Sequence, residues 1–101
     1  QDHGGNPEMY KKSLSAIRKA VDNITFYVSV ATRCNNQPDP VIGAAQREII
    51  NSNEWFREGP NTDELGNDYR HDNCHFNEAG LIETAKKWRD VLEANKNAET
   101  L

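Results

Sequence analysis

The densest run of chemically capable side chains in the sequence is His71-Asp72-Asn73-Cys74-His75. Asp72 and His75 lie three apart, just before Asn77, a residue type that caps helices, so they belong to a loop that turns into a helix. A carboxylate at that spacing can accept the Nδ1 proton of an imidazole and fix its tautomer. Nε2 is then left as a general base toward a nucleophile. Histidine suits the task because its unperturbed pKa, about 6.5, lies near working pH. The same Asp-x-x-His pattern also arises by chance, as an aspartate capping its own loop beside a surface histidine, so the pair needs context.

Other residues offer competing chemistry. His71, Cys74 and His75 with Cys34 could supply a tetrahedral zinc site of two nitrogens and two sulfurs, but adjacent residues converge poorly on one ion. The expectation is therefore no metal and no cofactor, with a small zinc domain as a minor alternative. Two cysteines are too few for a disulfide scaffold; free buried thiols are expected, and a Cys34–Cys74 disulfide would require an oxidising compartment. Arg33 is a candidate substrate contact, the other reading being a solvated loop arginine. Trp55-Phe56 could line a sugar site or simply pack, and His3 beside Gly4-Gly5 reads as a mobile terminus.

The elements that must position these groups follow from caps and periodicity. Asn6-Pro7-Glu8 opens a helix of about four turns ending near Asp22-Asn23, with Tyr10, Leu14, Ile17 and Val21 as its inward stripe. Ile24 to Ala31 is a strand, and its mostly apolar positions suit burial on both faces of a parallel sheet. Asp39-Pro40 opens a second helix with Val41, Ile42, Ala45, Ile49 and Ile50 inward; Gly43 weakens it. Residues 51–73 are mostly turn signals, with Trp55-Phe56 either a short strand or a loop anchor. Asn77 caps a last helix whose stripe is Leu81, Ala85, Trp88 and Leu92, and the tail after Asn95 is expected to fray.

That order contains one good strand and no evident partner for it. Unpaired buried backbone groups cost about 1–3 kcal/mol each. Either another subunit completes the sheet or the chain is part of a longer α/β domain. Helices flanking a strand covered on both faces favour the second.

Composition sets the outer bounds. The chain has 101 residues, 36% hydrophobic, with 12 Lys and Arg against 16 Asp and Glu for a net charge of −4. The mean hydropathy is −0.90 and the pI about 5.3. One domain fits, its core must be lean, and no apolar stretch is long enough to span a membrane. No basic stripe interleaved with aromatics exists to neutralise phosphates, which argues against nucleic-acid partners. Gln1 to Asn6 lacks the basic and apolar regions of a signal peptide, but a mature secreted chain would look the same, so the compartment stays open.

The run Asp72-Asn73-Cys74-His75-Phe76-Asn77-Glu78-Ala79-Gly80-Leu81 resembles the last signature block of the SGNH/GDSL-type hydrolases. It is most similar to the sialate O-acetylesterase-like carbohydrate esterases, whose pattern is Asp-Gly-x-His-Phe followed by Gly-Leu. The loop Gly59-Pro60-Asn61-Thr62-Asp63-Glu64-Leu65, the helical Gln46 and the run Ala85 to Trp88 fit the same group, so the resemblance covers about Val28 to Leu92. It implies a three-layer α/β/α, flavodoxin-like fold of which residues 1–101 are the C-terminal part, a single partial domain. It also implies a serine esterase acting on an acetylated carbohydrate or other small ester, with Asp72 orienting His75, and His75 activating the serine.

The sequence departs from that pattern in three places. No Gly-Asp-Ser-type block is present, and Ser13, Ser15, Ser29 and Ser52 all lie within or at the ends of expected elements. The nucleophile is thus expected from another piece of polypeptide, and this chain alone is expected to be inactive. Asn73 stands where the family has Gly, though both tolerate left-handed backbone angles. Cys74 stands where an apolar residue is usual, a mild change for a buried thiol. The competing class is a non-catalytic α/β module whose strand is completed by oligomerisation.

Overall fold

Proline at the first helical position and a side-chain acceptor just before it start both of the first two helices. Asn6 Oδ1 accepts the N–H groups of Glu8 and Met9 at 2.9 and 3.1 Å. Asp39 Oδ1 accepts those of Val41 and Ile42 at 3.0 and 3.2 Å. The computed structural model describes residues 3–21 and 24–99. Its elements are helix α1 (Pro7–Ala20), strand β1 (Phe26–Val30), helix α2 (Pro40–Ile50), strand β2 (Phe56–Asn61) and helix α3 (Glu78–Glu99). Two 3-10 turns, Thr62–Glu64 and Asn67–Tyr69, bridge β2 to the site loop. The expected end of α1 at Asp22-Asn23 falls outside the described residues. Helix α3 does not fray at Asn95 but runs on to Glu99. No described helix is long and apolar enough to cross a membrane.

The strand expected to lack a partner has one. β1 pairs in parallel with β2, Phe26 opposite Phe56 and Val28 opposite Glu58, with a shift in register before Val30 meets Asn61. Phe56-Arg57-Glu58-Gly59-Pro60-Asn61 has little intrinsic strand character. Its pairing is decided by the α2 crossover, which returns the chain beside β1.

Alternation along β2 divides the helices between the two faces of the sheet. Phe56 joins Val28 and Ile49 in the buried core, against which Tyr10, Leu14, Phe26 and Ile50 pack from α1, β1 and α2. Arg57 turns the other way and donates to Asn95 Oδ1 of α3 at 3.2 Å. Trp88 of α3 covers Gly59 so closely that a Cβ there would meet the indole at 2.9 Å. The protein is thus a mixed α/β structure with α1 and α2 on one face of a two-stranded parallel sheet and α3 on the other.

Several expected core positions lie open. Ile17 on α1, Val21 just beyond its end and Val41 on α2 are exposed, and so are Leu81 and Leu92 of the α3 stripe, at 60% and 47%. The stripe expected on α3 is therefore corrected: Ala85 is exposed as well, and the helix turns Gly80, Thr84, Trp88, Val91 and Asn95 inward, so of the expected positions only Trp88 meets the sheet.

His3 and Gly4, expected to be mobile, are held by hydrogen bonds. His3 Nδ1 lies 2.8 Å from the carbonyl of Thr32, and the Gly4 N–H donates to Asp39 Oδ2 at 2.7 Å. The bond from Gly4, followed by the cap bonds from α2, holds the Asp39 carboxyl below its ordinary range. A lowered folded pKa contributes stability above the unfolded value, about 3.9, and loses it as pH falls through the folded value. Urea midpoints should therefore be flat above about pH 5 and fall below about pH 4, less steeply in Asp39→Asn. The midpoints, measured at a series of pH values, provide the check.

Candidate functional site

The site loop leaves the second 3-10 turn at Arg70 and returns at Phe76, the two pairing as an antiparallel bridge. Its reversal needs a left-handed residue, and Asn73 supplies it at φ 66°. The His71 N–H donates to the His75 carbonyl at 3.0 Å, closing the turn. Asn77 then starts α3, its Oδ1 accepting the Gly80 N–H at 2.9 Å. Gly80 is required there, because a Cβ would drive into the Tyr69 carbonyl oxygen and the Phe76 side chain.

Within this frame Asp72 and His75 meet. His75 Nδ1 lies 2.6 Å from Asp72 Oδ2, while Asp72 Oδ1 accepts the N–H groups of His75 at 2.6 Å and Cys74 at 3.0 Å. The carboxylate therefore has one oxygen on the imidazole and the other on the backbone that carries it. The His75 ring contact, then the backbone bonds, hold Asp72 far below the ordinary carboxylate range. With Asp72 ionised, Nδ1 of His75 is the donor and Nε2 is free to accept a proton. The His75 side chain is 65% exposed.

The loop lies at the rim where both strands end. The Asn36 N–H donates to the Asn73 carbonyl at 3.3 Å, and Cys34 is joined to Cys74 by a disulfide. The expectation of free thiols is thus overturned. Chain segments that follow β1 and carry the Asp/His pair approach closely enough for the sulfurs to bond, and both sulfurs are removed from the set of possible zinc ligands. The bridge closes a sequence separation of 40 residues. Constraint of the unfolded chain by such a bridge is worth about 2–4 kcal/mol. Cys34→Ser with Cys74→Ala should lower unfolding free energy by about that amount, as read from urea denaturation.

Three polar side chains the sequence did not single out for this role build the rim. Asp63 accepts the Thr32 N–H and hydroxyl, each at 2.6 Å, and the Arg33 N–H at 2.7 Å, tying the exit of β1 to that of β2. Gln46, 1% exposed, accepts the Ala31 N–H at 3.0 Å from α2. Arg70 is 6% exposed and donates to four carbonyls, those of Leu65, Arg33, Cys74 and Thr62. Burial, followed by the nearby Arg33, lowers its pKa. The signal for Arg70 was an arginine placed immediately before the His-Asp run, where its fork can reach several loop carbonyls.

Thr32, Arg33, Asp63, Arg70 and Phe76 line a cleft of about 260 Å³ at this rim. Arg33 is half-buried, and one of its guanidinium nitrogens donates to the Asn36 carbonyl at 3.2 Å. Trp55 lies elsewhere, beneath the Arg18 guanidinium at 4.4 Å from the ring centroid, and packs α1 to the start of β2. Asp72 and His75 line neither the rim cleft nor a larger apolar groove of about 410 Å³ between the N-terminal turn, α1 and Ile42; they stand on the exposed loop beside the cleft wall at Phe76. The arrangement can thus hold an imidazole in one tautomer and present its free nitrogen at an open rim. Compared with family models, with curated proteins and with solved structures, the chain finds no match in any of the three, so its chemistry is read from this geometry alone.

Proposed function

We propose that this chain carries the acid and base of an SGNH-type serine hydrolase, a carbohydrate O-acetylesterase. The observation that supports the reading best is the 2.6 Å contact between Asp72 Oδ2 and His75 Nδ1 at the rim beyond two parallel strands. Ligands of open α/β sheets bind at that rim. In the reaction, His75 Nε2 takes the proton of a serine hydroxyl as the serine oxygen attacks the acetyl carbonyl. Asp72 stabilises the imidazolium. The imidazolium then protonates the departing sugar oxygen, leaving an acetyl-enzyme. A water deprotonated by His75 releases acetate and regenerates the serine. Arg33 lines the rim cleft whose wall at Phe76 adjoins His75 in the chain, and a substrate reaching His75 from that side would meet it.

The serine comes from polypeptide outside these 101 residues. Ser13 and Ser15 are on α1, Ser29 is within β1, and the Ser52 hydroxyl donates back to the Ile49 carbonyl at 2.7 Å. The same polypeptide, as the remainder of the domain, would extend the sheet toward the flavodoxin-like architecture. Strand character supports that extension: β2 has the charges and proline of an edge, whereas β1 (Phe-Tyr-Val-Ser-Val) reads as an interior strand. The disulfide fits an oxidising compartment.

The apolar edge of β1 and the exposed Leu81 and Leu92 also support a second reading, a module completed by another subunit without catalysis. Hydrolysis separates the two. A longer form bearing a Gly-Asp-Ser-like block should hydrolyse p-nitrophenyl acetate and be labelled by a fluorophosphonate, while the 101-residue chain does neither. Labelled, active chain alone would refute the external serine. A longer form that folds but turns over no acetyl ester would refute the esterase reading, and a stoichiometric oligomer in sedimentation would favour the second.

A further inference from the structure

We propose that His71, Asp72 and His75 together bind a divalent transition-metal ion, zinc foremost, on the outer face of the site loop. One ligand atom from each lies within 4.8 Å of the other two, and all three side chains are exposed. The turn brings this about. Closure of the loop by the His71 N–H to His75 carbonyl bond puts the two imidazoles on one side, their rings stacked at 6.0 Å between centroids and 21° between planes. The disulfide at Cys74 anchors the turn, so the ligands are gathered before any ion arrives.

Zinc bonds of about 2.0–2.2 Å in tetrahedral geometry need ligand atoms about 3.3–3.6 Å apart. The farthest ligand atoms close by on the order of 1 Å, and where His75 binds through Nδ1 its 2.6 Å hydrogen bond to Asp72 Oδ2 opens in exchange for the metal; both movements fall on exposed side chains rather than on backbone. Two imidazoles and one carboxylate suit zinc, copper or nickel and not the oxygen-seeking magnesium or calcium. Three protein ligands leave a position open for water. The site differs from a Cys-His arrangement, since both sulfurs are already bonded to each other. Binding does not depend on the esterase reading. Its consequence does: an ion on the His75 imidazole would withdraw the base and inhibit turnover.

Calorimetric titration of the disulfide-intact chain with zinc chloride, in a buffer that does not chelate, tests the site. One ion per chain is expected, with affinity weakened at least about tenfold in His71→Ala and in His75→Ala and unchanged in His3→Ala. Circular dichroism confirms that each variant is folded, and magnesium chloride should give no heat of binding. No saturable one-to-one binding below about 1 mM zinc, or equal binding by His71→Ala and the parent chain, would overturn the proposal. In an active longer form, zinc that binds without inhibiting hydrolysis would uphold the metal site and count against His75 as the base.

Discussion

Arg70→Met should cost about 3–4 kcal/mol of unfolding free energy, the largest loss expected from any single substitution in the rim. The guanidinium holds three segments at once, where Asp63 and the Cys34–Cys74 disulfide tie them only in pairs. Its donors reach the carbonyl of Arg33 after β1, those of Thr62 and Leu65 after β2, and that of Cys74 within the site loop. It also covers Phe76, with the guanidinium carbon 4.6 Å from the ring centroid. A methionine of similar length fills the space but strands four acceptors, at about 1–3 kcal/mol each before water reaches some of them. Arg70→Lys should recover only part of the loss, because one ammonium cannot serve carbonyls lying in several directions. Urea denaturation of the three proteins checks the series. An Arg70→Met variant within about 1 kcal/mol of the parent would show that water replaces the fork without penalty.

In an active longer form, His75→Ala should lower kcat by about 10⁴ or more, and Asp72→Asn by a comparable factor. The two variants separate chemistry from folding. His75 is well exposed, so its loss removes a base and very little packing. Asn at position 72 keeps an oxygen to accept the backbone N–H groups of Cys74 and His75, and so preserves the turn. It cannot hold the imidazole in the tautomer that leaves Nε2 free. Rates on p-nitrophenyl acetate at saturating substrate, with circular dichroism as the folding control, decide the matter. Retention of more than about a tenth of the parent turnover by His75→Ala would exclude His75 as the general base.

The parts of the structure that local physics decides were legible in the sequence. Asn6-Pro7 and Asp39-Pro40 announced two helices because a cap and a proline act within one turn, and Asn77 announced the third. β1 stood out because every residue from Phe26 to Val30 except Ser29 is aromatic or β-branched. Its partner did not, since Phe56 to Asn61 contains a proline, a glycine and two charges, and becomes a strand only because α2 delivers it beside β1. The contact between Asp72 and His75 could be read from a spacing of three residues. The Cys34–Cys74 bond could not, because two cysteines forty residues apart carry no information on distance. Arg70 was missed for a related reason. Arginine is almost never fully buried unless paired, and here its partners are main-chain carbonyls, which leave no trace in composition.

The division of the helices between the two faces of the sheet gives the molecule a pair of built-in optical reporters. Trp55 lies under the Arg18 cation on the α1 side, and Trp88 lies against the Gly59 backbone on the α3 side. Their fluorescence should respond to different surroundings. With each indole replaced in turn by phenylalanine, emission during denaturation would follow one face at a time. Coincident curves would mean that both faces melt as a single cooperative unit; an early loss at Trp88 would mean that the long C-terminal helix lets go first.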